Sequence, residues 1–344
     1  MAAPTCSVRP TTRLIAARAR VTSATVSLAL RNHPRIPLET RQRIRKIARE
    51  LGYRPDPELS KLMHYLRSAR KPQYHSAITA LTTLPEGPQH AYVAGMVEAA
   101  RNRAEEQGYG FQLLHLEDAA GQRRDLQRIL RNRGVEGLLL LPLKAPLDVS
   151  ALLDWKEFSV VAATYGAIAP AFHRVLPHQF NNMLTACRQL AAKGYRRIGL
   201  VQGNDQDLVV HHNFSAAVSW QNLLGGTQMV MPLLHNNADL GVVNAWFASE
   251  KPDVIIAGGY RDEMEIPHQL RLKLPGKTGF AVSNRTHLSG LAGVDERPAE
   301  IGARAVDQLA AMIQRGEKGV PRVPMVTMIE GQWIDGPSAR GRRR

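Results

Sequence analysis

Cysteine is scarce in this 344-residue chain: Cys6 and Cys187 are the only two, about half a chain apart. Two distant thiols exclude a disulfide framework and a CxxC metal knuckle, they suit a reducing compartment, and both read as unreactive. Long apolar runs are also missing. No stretch approaches the roughly 18 uncharged apolar residues a membrane helix needs, and arginines interrupt the N-terminal MAAPTCSVRPTTRLIAARAR before it can offer the apolar core of a secretory signal. The expectation is a cytoplasmic protein with no membrane partner. The strings GxGxxG, GxxxxGK[ST], HExxH and GxSxG do not occur, and adjacent His211 and His212 lack the i, i+4 spacing that sets two metal ligands on one helix face. The chain is therefore expected to be no enzyme and to hold neither cofactor nor metal.

Acidic residues are the other shortage. Lys and Arg number 45 against 30 Asp and Glu, a formal net charge of +15. Residues 1–72 hold 13 Arg and 3 Lys but only Glu39, Glu50, Asp56 and Glu58, so this fifth of the chain carries 16 − 4 = +12 and the rest 29 − 26 = +3. Concentrated cations on a small module beside a nearly neutral body are the electrostatic footprint of nucleic-acid binding, because phosphate neutralisation needs them close together. On charge alone, a solvated arginine-rich helical face is the competing reading.

Hydrophobic spacing within the basic module predicts three helices. Thr11 or Thr12 can cap a first with apolar Leu14, Ile15 and Ala19, and Ser23 can begin a second that buries Val26, Ala29 and Leu30. The short link between them makes the two helices cross steeply, a helix-turn-helix geometry. A third is expected over residues 38–51, with Ile44, Ile47, Ala48 and Leu51 on one face and Gly52 as the stop.

Residues 20–63, RVTSATVSLALRNHPRIPLETRQRIRKIARELGYRPDPELSKLM, resemble the head and hinge of the LacI/GalR family of bacterial transcriptional repressors. T-S-A-T-V-S is similar to the family's S-x-x-T-V-S, and E-T-R-x-R-I with E-L-G-Y-R-P to the end of its third helix. The resemblance implies that Ser23, Ala24 and Leu28 face base edges, that Thr22, Thr25 and Ser27 hold phosphate oxygens, and that Arg31, Asn32 and Arg35 reach backbone or bases. Three positions depart from the pattern: the usual turn glycine is Arg20, the acidic residue of the first helix is Leu14, and an often base-reading arginine is Leu28. Direct hydrogen-bond readout is thinner for it, leaving methyl contacts and DNA shape. The segment D-P-E-L-S-K-L-M at 56–63 resembles the family hinge helix, which implies that Leu62, with Lys61 beside it, wedges into the minor groove. An ordinary amphipathic linker is the alternative.

From Ser76 on, short apolar runs alternate with helical patterns: AITALTT, a helix near 92–107, GFQLLHL, a helix near 122–133, GLLLLPL, a short helix and SVVAATY. A second set follows with a helix over about 179–193, RIGLVQG, a helix ending at 224, TQMVMPL, a helix near 237–248, DVIIAGG and TGFAVSN. Such alternation implies parallel sheets built from βαβ units. Two sets around a cleft resemble the periplasmic-binding-protein fold of the family's regulatory body, and ACRQLAAKGYRRIGLV, GVDERPAEIGARAVDQL and GQWIDGPS match its motifs. The expected organisation is a small all-α three-helix helix-turn-helix domain (1–55), a hinge helix and linker (56–72), an α/β two-lobed effector-binding and dimerisation domain (73–338) and a basic tail (339–344).

Effector residues are harder to assign. At the family's ligand positions stand His178, Asn213 and the run Gly259-Tyr260-Arg261-Asp262, none of the usual type. Tyr92, Tyr165, Asn213, Trp220, Tyr260 and Asp262 are candidates because loops at the carboxyl ends of parallel strands meet ligands; packing or solvated surface is the alternative for each. The sequence thus points to a homodimeric transcriptional regulator that binds a pseudo-palindromic double-stranded operator under control of a small-molecule effector, with sugars among the candidates. The rival reading is a solute-binding protein with the same body, against which stand the +12 head and the lack of a secretory signal.

Overall fold

The computed structural model describes residues 12–30, 36–51, 53, 76–85, 87, 90–116, 123–236, 240–285 and 290–341. The chain divides into two compact units between Gln73 and Tyr74.

The first unit holds helices α1 (Thr12–Ala19), α2 (Ser23–Leu30) and α3 (Leu38–Glu50). Ile15, Ala16 and Ala19 meet Val26, Ala29, Ile44 and Ala48 in one small core, rimmed by Val21, Leu30, Ile36, Ile47, Leu51 and Tyr53. Leu14, expected in that core, is 47% exposed; the inward stripe of α1 runs through Ile15, Ala16 and Ala19, and residue 14 is turned about 100° from Ile15. Glu39 in the first turn and Arg49 in the last complement the dipole of α3.

The second unit has two lobes. In chain order the first contains β1 (Ala77–Thr82), α4 (Ala91–Glu106), β2 (Gly110–His115), α5 (Arg123–Asn132), β3 (Val135–Leu140), β4 (Leu147–Asp148), β5 (Ser159–Ala162), β6 (Ala167–Ala169) and β7 (His173–Pro177). The chain then passes to the second lobe: α6 (Gln179–Ala192), β8 (Ile198–Gly203), α7 (Asn204–Val209), α8 (Asn213–Leu224), β9 (Leu233–His235), α9 (Leu240–Glu250), β10 (Val254–Gly258), α10 (Tyr260–Gln269), β11 (Gly279–Val282) and β12 (Ala292–Asp295). It returns with α11 (Pro298–Arg315), which packs on α4, and with β13 (Val326–Ile329) beside β7, then crosses a third time to place β14 (Gln332–Ile334) against β12.

Each lobe is built on a six-stranded sheet, ordered β13-β7-β5-β3-β1-β2 and β14-β12-β11-β10-β8-β9. The pairings are parallel throughout except for antiparallel β12 and β14. Apolar runs such as GLLLL arise because helices cover both faces of such a sheet. Along β3 and just beyond it, Leu139 and Leu141 join α4 and α11, while Leu138 and Leu140 meet Leu126 and Leu130 of α5 together with Phe158. Val254 and Ile256 of β10 face α6 and α8, and Ile255 and Ala257 face Val243, Trp246 and Ile266.

Not every expected element forms as read. Of TQMVMPL only Leu233 lies in a strand. The Asn222 amide donates to the carbonyls of Ile198 (3.2 Å) and Val230 (3.1 Å), so a side chain satisfies backbone that a ladder would otherwise hold. Strands β7 and β13 and helix α10 carry no clear periodic signal: β7 begins His-Arg, β13 is an edge strand with Val326 and Met328 about half exposed, and α10 contains Pro267.

Candidate functional site in the head and the interlobe cleft

Helix α2 begins where a side chain can replace the missing intrahelical acceptor. The Thr22 hydroxyl accepts from the Thr25 amide at 3.2 Å and lies 2.9 Å from the Thr25 hydroxyl, which caps the helix from its exposed side. Thr22 and Thr25 thus hold the N-terminal turn, at the positive end of the α2 dipole. Leu28 is half-buried beside core residues Val26 and Ala29. Ser23, Ala24 and Ser27 lie on α2; Arg31, Asn32, Arg35, Lys61 and Leu62 fall outside the described residues.

The turn between α1 and α2 carries a strained residue. Arg20 sits at φ +53°, a left-handed conformation that costs a residue with a Cβ about 1–2 kcal/mol, and the Val21 amide closes the helix end on the Ala16 carbonyl at 3.1 Å. Glycine would relieve the strain while giving the unfolded chain about 0.4–1 kcal/mol of extra entropy. Arg20→Gly is therefore expected to leave the head about 1 kcal/mol more stable than Arg20→Ala, which loses the same charge; equal melting of the two variants would show that the turn exerts no conformational selection.

Between the lobes of the second unit, the carboxyl ends of the strands surround a cavity of about 290 Å³. Its wall in the first lobe includes Leu84, Tyr92, Pro142, Leu143, Ala163 and Tyr165, and its wall in the second Val209, Val210, Phe214, Gly259 and Ser283. Gln179, Glu263, Asn284 and Glu296 also line it. Glu263 and Glu296 are both 3% exposed. Burial pushes Glu263 up to about 8, against the opposing hydrogen bonds from Asn284 and Ser283, and pushes Glu296 up to about 7, against those from Gln179 and Tyr92. The Ser283 hydroxyl and the Asn284 amide both donate to Glu263 Oε1 at 3.3 Å, and Asn284 Nδ2 donates to Glu296 Oε2 at 3.4 Å.

The candidate effector residues separate in the structure. Tyr92 and Tyr165 line the cavity, and each hydroxyl has a protein partner: Tyr92 bonds Glu296, and Tyr165 donates to the Pro177 carbonyl at 2.9 Å. Burial holds the Tyr92 hydroxyl well above its ordinary value and pushes Tyr165 up to about 12. Asn213 instead donates to the Val210 carbonyl at the start of α8, and Trp220 is 41% exposed on the same helix; neither is on the cavity wall. Asp262 is buried against His235, 3.1 Å away, one residue before the cavity-lining Glu263. Tyr260 opens α10 directly after Gly259. His178 caps α6, its Nδ1 accepting from the Asn181 amide at 3.2 Å. His211 stacks edge-on against Tyr165 with ring centroids 5.2 Å apart, His212 bonds Asp207 at 2.6 Å, and Cys187 is buried in the second lobe, where burial pushes its thiol up to about 12.

Glu263 and Glu296, which the sequence reading passed over, carry the only acidic side chains on the described cavity wall. Glu263 directly follows the run Gly259–Asp262 and Glu296 lies within GVDERPAEIGARAVDQL, past the ends of β10 and β12. The usable signal is an acidic residue at the carboxyl end of a buried parallel strand, where neither packing nor solvent explains it.

Residues 13–56 match the family model "Bacterial regulatory proteins, lacI family". The match falls on the three-helix head. Among curated proteins the chain is 27% identical over 191 residues to the HTH-type transcriptional repressor PurR of Pectobacterium carotovorum subsp. carotovorum, a match over 55% of this chain and 53% of that one. It is 25% identical over 207 residues to the HTH-type transcriptional repressor CytR of Escherichia coli, covering 59% and 57%. The chain spans about half the length of the curated relatives it matches. Among solved structures, a transcriptional regulator CelR–cellobiose complex aligns with a TM-score of 0.57 at 18% identity over 96% of this chain and all of that one. The lac repressor dimer bound to operator and the anti-inducer ONPF aligns with a TM-score of 0.55 at 14% identity over 97% and 100%. These likenesses show the fold: a small three-helix head and a two-lobed α/β body.

Proposed function

We propose that this chain is a sequence-specific DNA-binding transcriptional repressor, working in the cytoplasm as a homodimer on a pseudo-palindromic operator, and not an enzyme. The observation that carries the reading is the lacI-family match on residues 13–56, within the fifth of the chain that holds +12 of the net +15. The repressor names of PurR and CytR and the cavity between the lobes support the same reading. No helix among the described residues is long and apolar enough to cross a membrane. A small molecule in the cleft would favour one angle between the lobes, and affinity for operator would change by the coupling free energy between the two sites.

Mapping the DNA fragments that the protein retains from its own genome yields the operator, and binding to that operator supplies the test. Counterion release by a head this cationic predicts that log affinity falls against log salt with a slope of several units. A flat response between low and physiological salt, or retention of fragments with no shared sequence, would overturn the reading.

A further inference from the structure

Taking the interlobe cavity as the effector site, we propose that its ligand is a small organic cation, an ammonium-bearing molecule held between Glu263 and Glu296. The proposal rests on the reading above and concerns the chemical class of what the cleft takes.

The first argument is which hydrogen-bonding groups remain free. The cavity's tyrosine donors are engaged with protein, Tyr92 on Glu296 and Tyr165 on the Pro177 carbonyl. Acceptors remain. Gln179 is 6% exposed, its side chain bonds Glu296, and its Oε1 is buried with no partner. Once ionised, Glu263 and Glu296 can accept beyond the hydrogen bonds they already receive, and together with the unpartnered amide oxygen, whose burial without a donor costs about 1–3 kcal/mol, they suit a ligand rich in donors. An ammonium group offers three donors and no acceptor.

Charge makes the second argument. Glu263 and Glu296 repel each other, and Asp262 and Asp295 add to the negative field around them. Lys144, exposed at the edge, and His90 line the cavity, Arg174 and His211 stand beside its wall residue Tyr165, and among the described residues no arginine lines it. The groups of Ser283, Asn284, Gln179 and Tyr92 that bond the two carboxyls are neutral, so a cation from solution would supply the missing counter-charge. The walls agree in kind: Tyr92, Tyr165 and Phe214 bring aromatic surface to a cavity of about 290 Å³, and aromatic faces attract ammonium groups.

Other features lead less far. The wider depression of about 810 Å³ at the lobe crossovers contains Arg285, Arg297 and Arg304, but Arg304 is paired with Glu300 and Asp307, Arg297 bonds Gln332 and Arg285 bonds the Leu291 carbonyl.

Proton linkage gives the cation reading a signature. Burial raises both carboxyls well above their ordinary range in the folded protein, so a cation that needs them ionised must displace protons. With Glu296 titrating near 7, the ionised fraction falls about tenfold between pH 8 and pH 6, and affinity for an ammonium should fall by at least that factor. A neutral ligand accepted by protonated carboxyls would bind equally well or better at the lower pH.

The full-length chain is titrated calorimetrically at pH 6 and pH 8 with four matched pairs: glucosamine and glucose, tyramine and 4-ethylphenol, putrescine and 1,4-butanediol, choline and 3,3-dimethylbutanol. The expected result is that at least one ammonium binds ten times or more tighter than its neutral counterpart at pH 8, weakens about tenfold at pH 6, and loses that preference in Glu263→Gln and Glu296→Gln. The wild-type pairs and the pH profile decide the matter even if a variant fails to fold. Binding by neutral members alone, equal binding within every pair, or no ammonium bound in any pair overturns the cation assignment. Operator binding measured in the same buffers separates this from the regulator reading: intact DNA binding with no ammonium preference sinks only the ligand class, whereas absent DNA binding sinks the reading beneath it.

Discussion

A chain shortened to residues 74–344 is expected to lose operator binding by a factor of about a thousand or more while keeping a folded α/β body. Electrostatics and cohesion both require it. The removed segment carries +12, and with it go the phosphate contacts that supply most of the affinity of a DNA-binding protein. What remains has its own cohesion: the division falls between Gln73 and Tyr74, and the four large apolar clusters of the body draw only on residues beyond it. The head core likewise uses only residues 15–53. Fluorescence anisotropy on an operator duplex and circular dichroism of the truncated chain check the two halves of the expectation. DNA binding undiminished by the truncation would move the interface out of the head; an unfolded remainder would show that the body depends on residues before 74.

The head is legible in sequence because its determinants are local. Ile15, Ala19, Val26, Ala29, Ile44 and Ala48 fall at helical spacing within about thirty-five residues, and one short cluster contains them all. Parallel strands buried on both faces announce themselves as apolar runs, so β1, β3, β5, β8 and β10 could be read directly, whereas β7 and β13 could not: their sequences are mixed, and they owe their strand conformation to pairing across about 150 residues of chain. The cavity shows the same limit at single-residue scale. Asp262 and Glu263 are adjacent on α10, and a helix turns about 100° per residue, so one carboxylate meets His235 while the next faces the cleft. No pattern in GGYRDEM tells which is which; the packing of α10 on its sheet decides. Arg20 is an opposite case. Its departure from the resembled turn glycine is visible in sequence, and the structure keeps the left-handed turn in spite of it.

Gly302→Ala should destabilise the body by about 2 kcal/mol and weaken ligand binding in the cleft as well. Helices α4 and α11 cross closely over the first-lobe sheet, and their approach is set by missing side chains. A Cβ at position 302 would overlap the Met96 carbonyl oxygen and stand 3.0 Å from its carbon. That neighbour is backbone inside a helix and cannot rotate away, so α11 must lift. Overpacking of this kind costs about 1–3 kcal/mol, and a rigid obstacle puts the cost at the upper end; the better helix propensity of alanine returns up to about 1 kcal/mol. The displacement also reaches the site, because α11 begins two residues after Glu296 and Tyr92 lies on α4, so their hydrogen bond ties α4 to the segment that leads into α11. Gly341→Ala serves as control: nothing lies within 4 Å of a Cβ there, and such surface changes usually stay within about 0.5 kcal/mol. Urea midpoints of the two variants measure the difference, and a Gly302→Ala protein as stable as the control would mean that α4 and α11 separate freely and that their spacing does not position Glu296.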